Sequence, residues 1–376
     1  MKNMANSYRK WKRSALLCPK VVLACLFFVA CASDPKPPAL PLRSEPQQCF
    51  KDLGPGDEPP AMISASKCFL STNDHELTPD AVPYSVNSAL WTDGAEKHRY
   101  MVIPLEGQVQ IDAKGIWQFP VGSLLIKEFG FLFDDSDESS RRVVETRFMQ
   151  FTNHGWRYFS YRWREDGSDA ERVKEAQTGN YVITRSGQPS EVAYAFPHEE
   201  ACTYCHSDAS GEVLGPTNLQ LNGIVDYGHQ RAPQIETLTN AGYVDPQTVP
   251  DKELLPELPD PHDTRLPVEA RARSYLHANC AHCHQPGGWT SPDLRFDLRY
   301  TTSFEDMKLC NEASRSLTAY AYPTLLVPGA PNESALLARV NPKRQSERMP
   351  PVGVSVTDPL AVEVLSAWIS SIEACP

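Results

Sequence analysis

The pentapeptides Cys202-Thr203-Tyr204-Cys205-His206 and Cys280-Ala281-His282-Cys283-His284 constrain this chain more than any other feature of it. Both read C-x-x-C-H. Two thiols three residues apart fall on one turn, and the imidazole that follows projects close by. Each pentapeptide can therefore bond a planar macrocycle twice and ligate its metal once, which is the attachment chemistry of haem c. Cys202, Cys205, Cys280 and Cys283 are thus expected to carry two covalently bound haem c groups, with His206 and His284 on the irons. A four-thiolate zinc site is the competing reading, since zinc takes Cys₄ or Cys₃His tetrahedra. Zinc does not call for a histidine after each pair. A thioredoxin-like redox role lacks the βαβ surroundings that such a motif needs.

The start of the chain says where this chemistry would take place. Six basic residues and no acid occupy the first thirty positions, followed by the apolar run Val21 to Ala30 and the small residues Cys31, Ala32 and Ser33. Ten apolar residues are too few to span a bilayer, which takes about 20, so residues 1–30 read as an export signal peptide. Phe28-Val29-Ala30-Cys31 is similar to a bacterial lipobox, making Cys31 the expected lipidated N-terminus; ordinary cleavage near Ala32 is the alternative. Residues 31–48, rich in proline, read as an extended tether. The expected location is the envelope of a Gram-negative bacterium, as a periplasmic or outer-membrane-anchored lipoprotein. Without the leader, 30 basic residues face 47 acidic ones, a net charge of −17. Such a surface repels phosphate backbones and argues against nucleic acid as a partner.

Of the eleven cysteines, Cys49, Cys68, Cys310 and Cys375 remain after the leader, the lipidation site and the two motifs are set aside. In an exported chain four such cysteines suggest two disulfides, with three possible connectivities. Pairing Cys49 with Cys68 and Cys310 with Cys375 keeps each bridge inside one expected domain.

Residues 49–195 carry short β-branched and aromatic runs at 99–103, 108–111, 115–119, 123–131, 142–151, 156–163 and 181–184, separated by Gly- and Asp-containing turns. This pattern predicts an all-β domain of sandwich or jelly-roll type, with Trp91, Trp117, Trp156 and Trp163 in its core. Residues 196–244 hold the first motif. Prolines 246, 250, 256, 259 and 261 lie in a stretch, 245–265, that reads as a semi-rigid linker. The final unit, 266–376, opens on a helix running into Cys280 and closes on one announced by Asp358 as N-cap and Pro359 at the first helical position. The expected architecture is a β-rich domain followed by mostly α haem domains.

The final unit resembles a class I cytochrome c domain, on the helix leading into C-x-x-C-H, the segment Arg348-Met349-Pro350-Pro351-Val352-Gly353 and the amphipathic closing helix with Trp368. The resemblance implies that Met349 is the second axial ligand beside His284. A thioether framed by two prolines suits that role, and His/Met ligation raises the potential. For the first haem no Met-Pro segment follows His206, and the candidates are His229, His98, Met101, Met149, His154 or an open position. Residues 80–370 are also similar to a bacterial family of di-haem c-type cytochromes whose substrate is not established. The matching segments are Tyr84-Ser-Val-Asn87, Leu90-Trp-Thr-Asp-Gly-Ala95, Phe119-Pro-Val-Gly122, Glu145-Thr-Arg147, Leu214-Gly215, Gln220-Leu-Asn222 and the stretch 271–284. The resemblance implies a β-rich domain joined to haem domains, and electron transfer between periplasmic donor and acceptor proteins, a dehydrogenase among the candidate donors. Two other readings stay open: a peroxidase-type enzyme with an open first haem, and a binding module whose haems serve redox partners.

Overall fold

The computed structural model describes residues 39–51, 53–251, 255–290, 296–315 and 321–376. The expected signal peptide and lipidation site Cys31 lie outside the described residues.

Its frame is a six-stranded antiparallel meander in which each strand pairs with the next in the chain. The strands are β1 (Val82–Pro83), β2 (Glu96–Val102), β3 (Leu124–Leu132), β4 (Arg141–Thr152), β5 (Gly155–Trp163) and β6 (Ala170–Arg172). These follow the runs read from the sequence, because the alternation that marks a strand also gives it two usable faces. One face packs Val102, Leu124, Ile126, Phe148 and Phe159 on a strap that contains Cys49, Phe50, Ile63 and Cys68. The opposite face carries Met101, Leu125, Met149 and Phe151.

The β-rich region is antiparallel, as expected, and among the described residues it holds one six-stranded sheet and smaller two-stranded ones. The layer over one end of the meander is a single hairpin of β7 (Gln177–Arg185) and β8 (Gln188–Phe196). Its Ile183, Val192, Tyr194 and Phe196 pack on Phe129 and Phe131. The segment holding the first motif is also not separate. Val213, Leu221 of α1 (Asn218–Leu221) and Ile235 and Leu238 of α2 (Gln234–Asn240) share one hydrophobic cluster with the sheet.

The two proline-rich stretches are anchored where they are described. Arg43 donates to the carbonyls of Pro104, Leu105 and Gly107, and its own N–H bonds to Ala241. In the linker, Leu258 is fully buried and its N–H reaches the Leu219 carbonyl at 2.8 Å. Composition marks such segments as unable to form a core of their own, yet leaves them free to lie along another.

The final unit has its own core, built by α3 (Val268–Asn279), α4 (Ala335–Val340) and α5 (Pro359–Ser371). Asp358 accepts from the Leu360 N–H at 2.9 Å and Pro359 follows at the first position, the expected start of α5. Ala361, Val364, Leu365, Trp368 and Ile369 form its buried stripe. Both disulfides pair as the sequence suggests, Cys49 with Cys68 and Cys310 with Cys375. Among the described residues no helix is long and apolar enough to cross a membrane.

The segment 84–95 ties these parts together. Asn87 donates its amide to the Leu219 and Asn222 carbonyls, and Ser88 and Gln220 exchange two hydrogen bonds. Trp91 N–H bonds to Asn279 Oδ1 at 2.7 Å and its indole N–H to the Val356 carbonyl at 3.0 Å. Trp117 and Trp163 are core residues as expected, while Trp91 is instead a bridge between the sheet region and the final unit.

Candidate functional site

The two motifs fold into the same turn. In the first, the Cys202 carbonyl accepts from the N–H of Cys205 at 3.2 Å and of His206 at 2.9 Å; in the second, the Cys280 carbonyl accepts from Cys283 at 3.1 Å and His284 at 2.9 Å. Each pentapeptide thus gathers its two cysteines and its histidine within one turn of chain. Each is reached differently. Cys202 lies in a 3₁₀ segment, Glu199–Tyr204, whereas Cys280 caps α3, whose last residue Asn279 is held by Trp91 and Ala89.

Beyond His206 the chain reverses at Gly211, whose φ of +77° is the left-handed conformation that glycine adopts at no steric cost. The reversal returns the Glu212 carbonyl to His206 Nδ1 at 2.7 Å. With Nδ1 carrying the proton, Nε2 is left with its lone pair, the nitrogen able to act as a ligand. Burial pushes the His206 imidazolium down to about 3, so the ring stays neutral, the form that binds metals. His284 is likewise pushed down by burial, to about 4, and its ring stacks on Phe296 at 4.5 Å. Its Nδ1 is buried with no hydrogen-bond partner among the described residues.

The fold then brings the two turns into contact. Tyr204 stacks on Trp289 with centroids 4.7 Å apart. Cys205, Cys283 and His282 place one ligand atom each within 4.8 Å of one another. Among the described residues the four motif cysteines are the free ones. Burial pushes the Cys202 thiol up to about 11 and the Cys280 thiol up to about 12. A hydrogen bond from Cys283, and then His282, instead draws Cys205 well below the usual thiol range. His282 is therefore part of this contact.

The first motif lies against the sheet. Tyr158 of β5 packs on His206 at 5.1 Å. An open cleft of about 450 Å³ runs beside them, lined by Trp156, Thr203, Ser207, Glu212 and Gly287 among others, a size within the range of small-molecule sites. The register puts Met149 opposite Tyr158 and Met101 opposite Leu125, all on the face toward His206. His98 sits one residue off this parity and pairs with Glu128 at 3.9 Å on the other face, which removes it as a partner for His206. His154 lies in the β4–β5 turn and His229 in the turn after residues Ile224–Asp226. Met101 is fully buried in the core, leaving Met149 as the sulfur nearest in register to Tyr158.

Met349 lies on the segment after α4, its N–H bonded to the Arg339 carbonyl at 2.9 Å. The Arg339 guanidinium is within electrostatic reach of His284. Met307, the other methionine of this unit, is fully buried in its core.

Sequence reasoning missed a buried polar network beside Cys202. Arg147 makes a bidentate pair with Glu145, both contacts at 2.8 Å, and Glu145 also accepts from Ser160 at 2.5 Å and Tyr194 at 2.6 Å. Glu145 and Arg147 were legible only as part of a matching segment, since their pairing depends on strand parity and on β8 arriving from above. No family model, curated protein or solved structure matches this chain.

Proposed function

We propose that this chain is an exported di-haem c-type cytochrome that carries single electrons between redox proteins of the cell envelope. The observation that supports this most is the repeated turn, which presents two thiols and a neutral imidazole together at each of two sites 78 residues apart. The donor set fits the group. Among the described residues four thiols stand outside the disulfides, His206 bonds the Glu212 carbonyl through Nδ1, and His284 keeps a buried ring nitrogen without a hydrogen-bond partner. Cys202 and Cys205 would hold one haem and Cys280 and Cys283 the other, with His206, His284 and Met349 at the irons. When bound, haem supplies an iron that alternates between Fe(II) and Fe(III) and so holds or releases one electron.

The protein's own residues set the conditions for that exchange. Burial keeps both histidines unprotonated. The acidic surface favours donors and acceptors with basic docking faces, among them a dehydrogenase. Cys31 would anchor the chain to the membrane through lipid. A pyridine haemochrome assay and intact mass of the mature protein test the reading. Two haems are expected, one lost on replacing Cys202 and Cys205 with Ala and the other on replacing Cys280 and Cys283. Protein containing zinc and no porphyrin would overturn it. That second reading has its own support, because Cys205, Cys283 and His282 already offer three donors in one place.

A further inference from the structure

The sheet face toward His206 carries an unbalanced group of cations. Register and parity put Lys97 opposite Phe129, Arg99 opposite Lys127, and Lys127 opposite Arg147, on three adjacent strands. Like charges directly opposed across strands destabilise a sheet. Partial burial raises that cost, since each cation has given up water.

The acids nearby are already occupied. Glu145 is committed to Arg147, Ser160 and Tyr194. Asp93 accepts from Ser355 and Val356, and Asp358 caps α5; both are near Lys97. The pair in the middle has no such neighbour at ion-pair distance among the described residues. Arg99 reaches only the Lys97 carbonyl, at 3.5 Å, and the Lys127 ammonium stands 5.2 Å from the Phe129 ring centroid.

The position of this pair points to its occupant. The row holding Arg99, Lys127 and Arg147 is two residues along the strands, or about 7 Å, from the row holding Tyr158, which touches His206. From Arg147, near Cys202, to Arg99 is two strand spacings, about 10 Å. A porphyrin bonded at Cys202 and Cys205 carries its two propionates on the edge opposite the thioether bonds. We propose that Arg99 and Lys127, with Lys97 beside them, form a carboxylate seat for the propionates of the haem attached at Cys202 and Cys205. This rests on the haem reading above. Two cations without an acid then meet two carboxylates without a cation, and charge-assisted hydrogen bonds replace the repulsion.

The test is resonance Raman spectroscopy of the propionate bending bands in purified holoprotein, with haem counted in the same samples. Lys127→Met and Arg99→Gln should each keep two haems, because the thioether bonds are covalent, and should shift the propionate band of one haem. Lys127→Arg, which keeps the charge and fold if the other variants unfold, should shift it less than loss of the cation would. Glu128→Gln, on the same strand but the opposite face, should leave the bands unmoved. Two haems with unshifted bands in the Lys127 and Arg99 variants would overturn the seat alone. Fewer than two haems in the wild-type protein would overturn the haem reading and the seat with it. The same seat could instead take a diffusible carboxylate. A rise in the melting temperature of the two-haem protein on adding succinate, lost in Lys127→Met, would overturn the propionate assignment in favour of that source.

Discussion

Cys283 Sγ lies 3.7 Å from the carbonyl oxygen of Tyr204, 79 residues earlier in the chain, so the second motif closes directly onto the first. The Tyr204–Trp289 stack flanks this contact. Haems attached at these two turns would lie side by side, and their Soret transitions should couple. The wild-type protein is expected to give a two-signed Soret circular dichroism band. Trp289→Ala, at a half-exposed position, should weaken it at a stability cost of about 1 kcal/mol. A single-signed band in the wild type would place the two porphyrins apart.

If Met349 ligates the haem proposed at Cys280 and Cys283, Met349→Ala should keep both haems and remove the long-wavelength absorption band of thioether-ligated Fe(III), opening that iron to carbon monoxide. Met349→His should stay low-spin at a lower potential, because imidazole stabilises Fe(III) better than thioether does. Spectra of the oxidised variants check both. An unchanged thioether band would assign the sulfur to another residue.

Asp93 controls the same segment from a distance. Its fully buried carboxylate accepts from Ser355 N–H at 2.7 Å, Val356 N–H at 2.8 Å and the Ser355 hydroxyl at 2.9 Å, fixing the chain shortly after Met349. Asp93→Ala leaves two buried amide donors unsatisfied and should cost about 2–4 kcal/mol in urea unfolding. Asp93→Asn retains an acceptor oxygen and the tolerance of a positive φ, and should recover much of the loss.

Glu128 makes stability depend on pH in the opposite sense to a surface carboxylate. Burial raises its pKa from 4.5 to about 7, and among the described residues its Oε1 has no hydrogen-bond partner. Between these values the folded chain holds a proton that the unfolded chain has released, so stability falls as pH rises through this window. Burial also pushes His98 below its usual value, so at pH 8 that ring brings no compensating charge. Glu128→Gln should therefore stabilise the protein by an amount on the order of 3 kcal/mol at pH 8 and change little near pH 5. Denaturant midpoints at the two pH values measure this, and equal effects at both would refute the buried charge.

What was legible in the sequence is what depends on neighbours along the chain. The C-x-x-C-H turn closes on hydrogen bonds three and four residues long, so its form follows from the pentapeptide itself. The start of α5 at Asp358-Pro359 is equally local, as are the strand runs. The disulfide partners were legible at domain level only. What packs on those strands was not legible, because alternation shows that a strand has two faces and says nothing of what covers them.

Other features wait on the tertiary structure. Whether His98 or Met149 faces His206 depends on the parity of β2 and β4 once the meander order is fixed. Arg99, Lys127 and Arg147 lie 28 and 20 residues apart in the chain and become neighbours only through strand register. The meeting of Cys205 with Cys283 requires the sheet, the bridge at Trp91 and Asn279, and the anchored linker together. The sequence by itself determined the two C-x-x-C-H turns, each closed by hydrogen bonds within its own pentapeptide. Their contact, and the charges facing them, were decided by long-range packing, because no local hydrogen bond or helical period links residues so far apart.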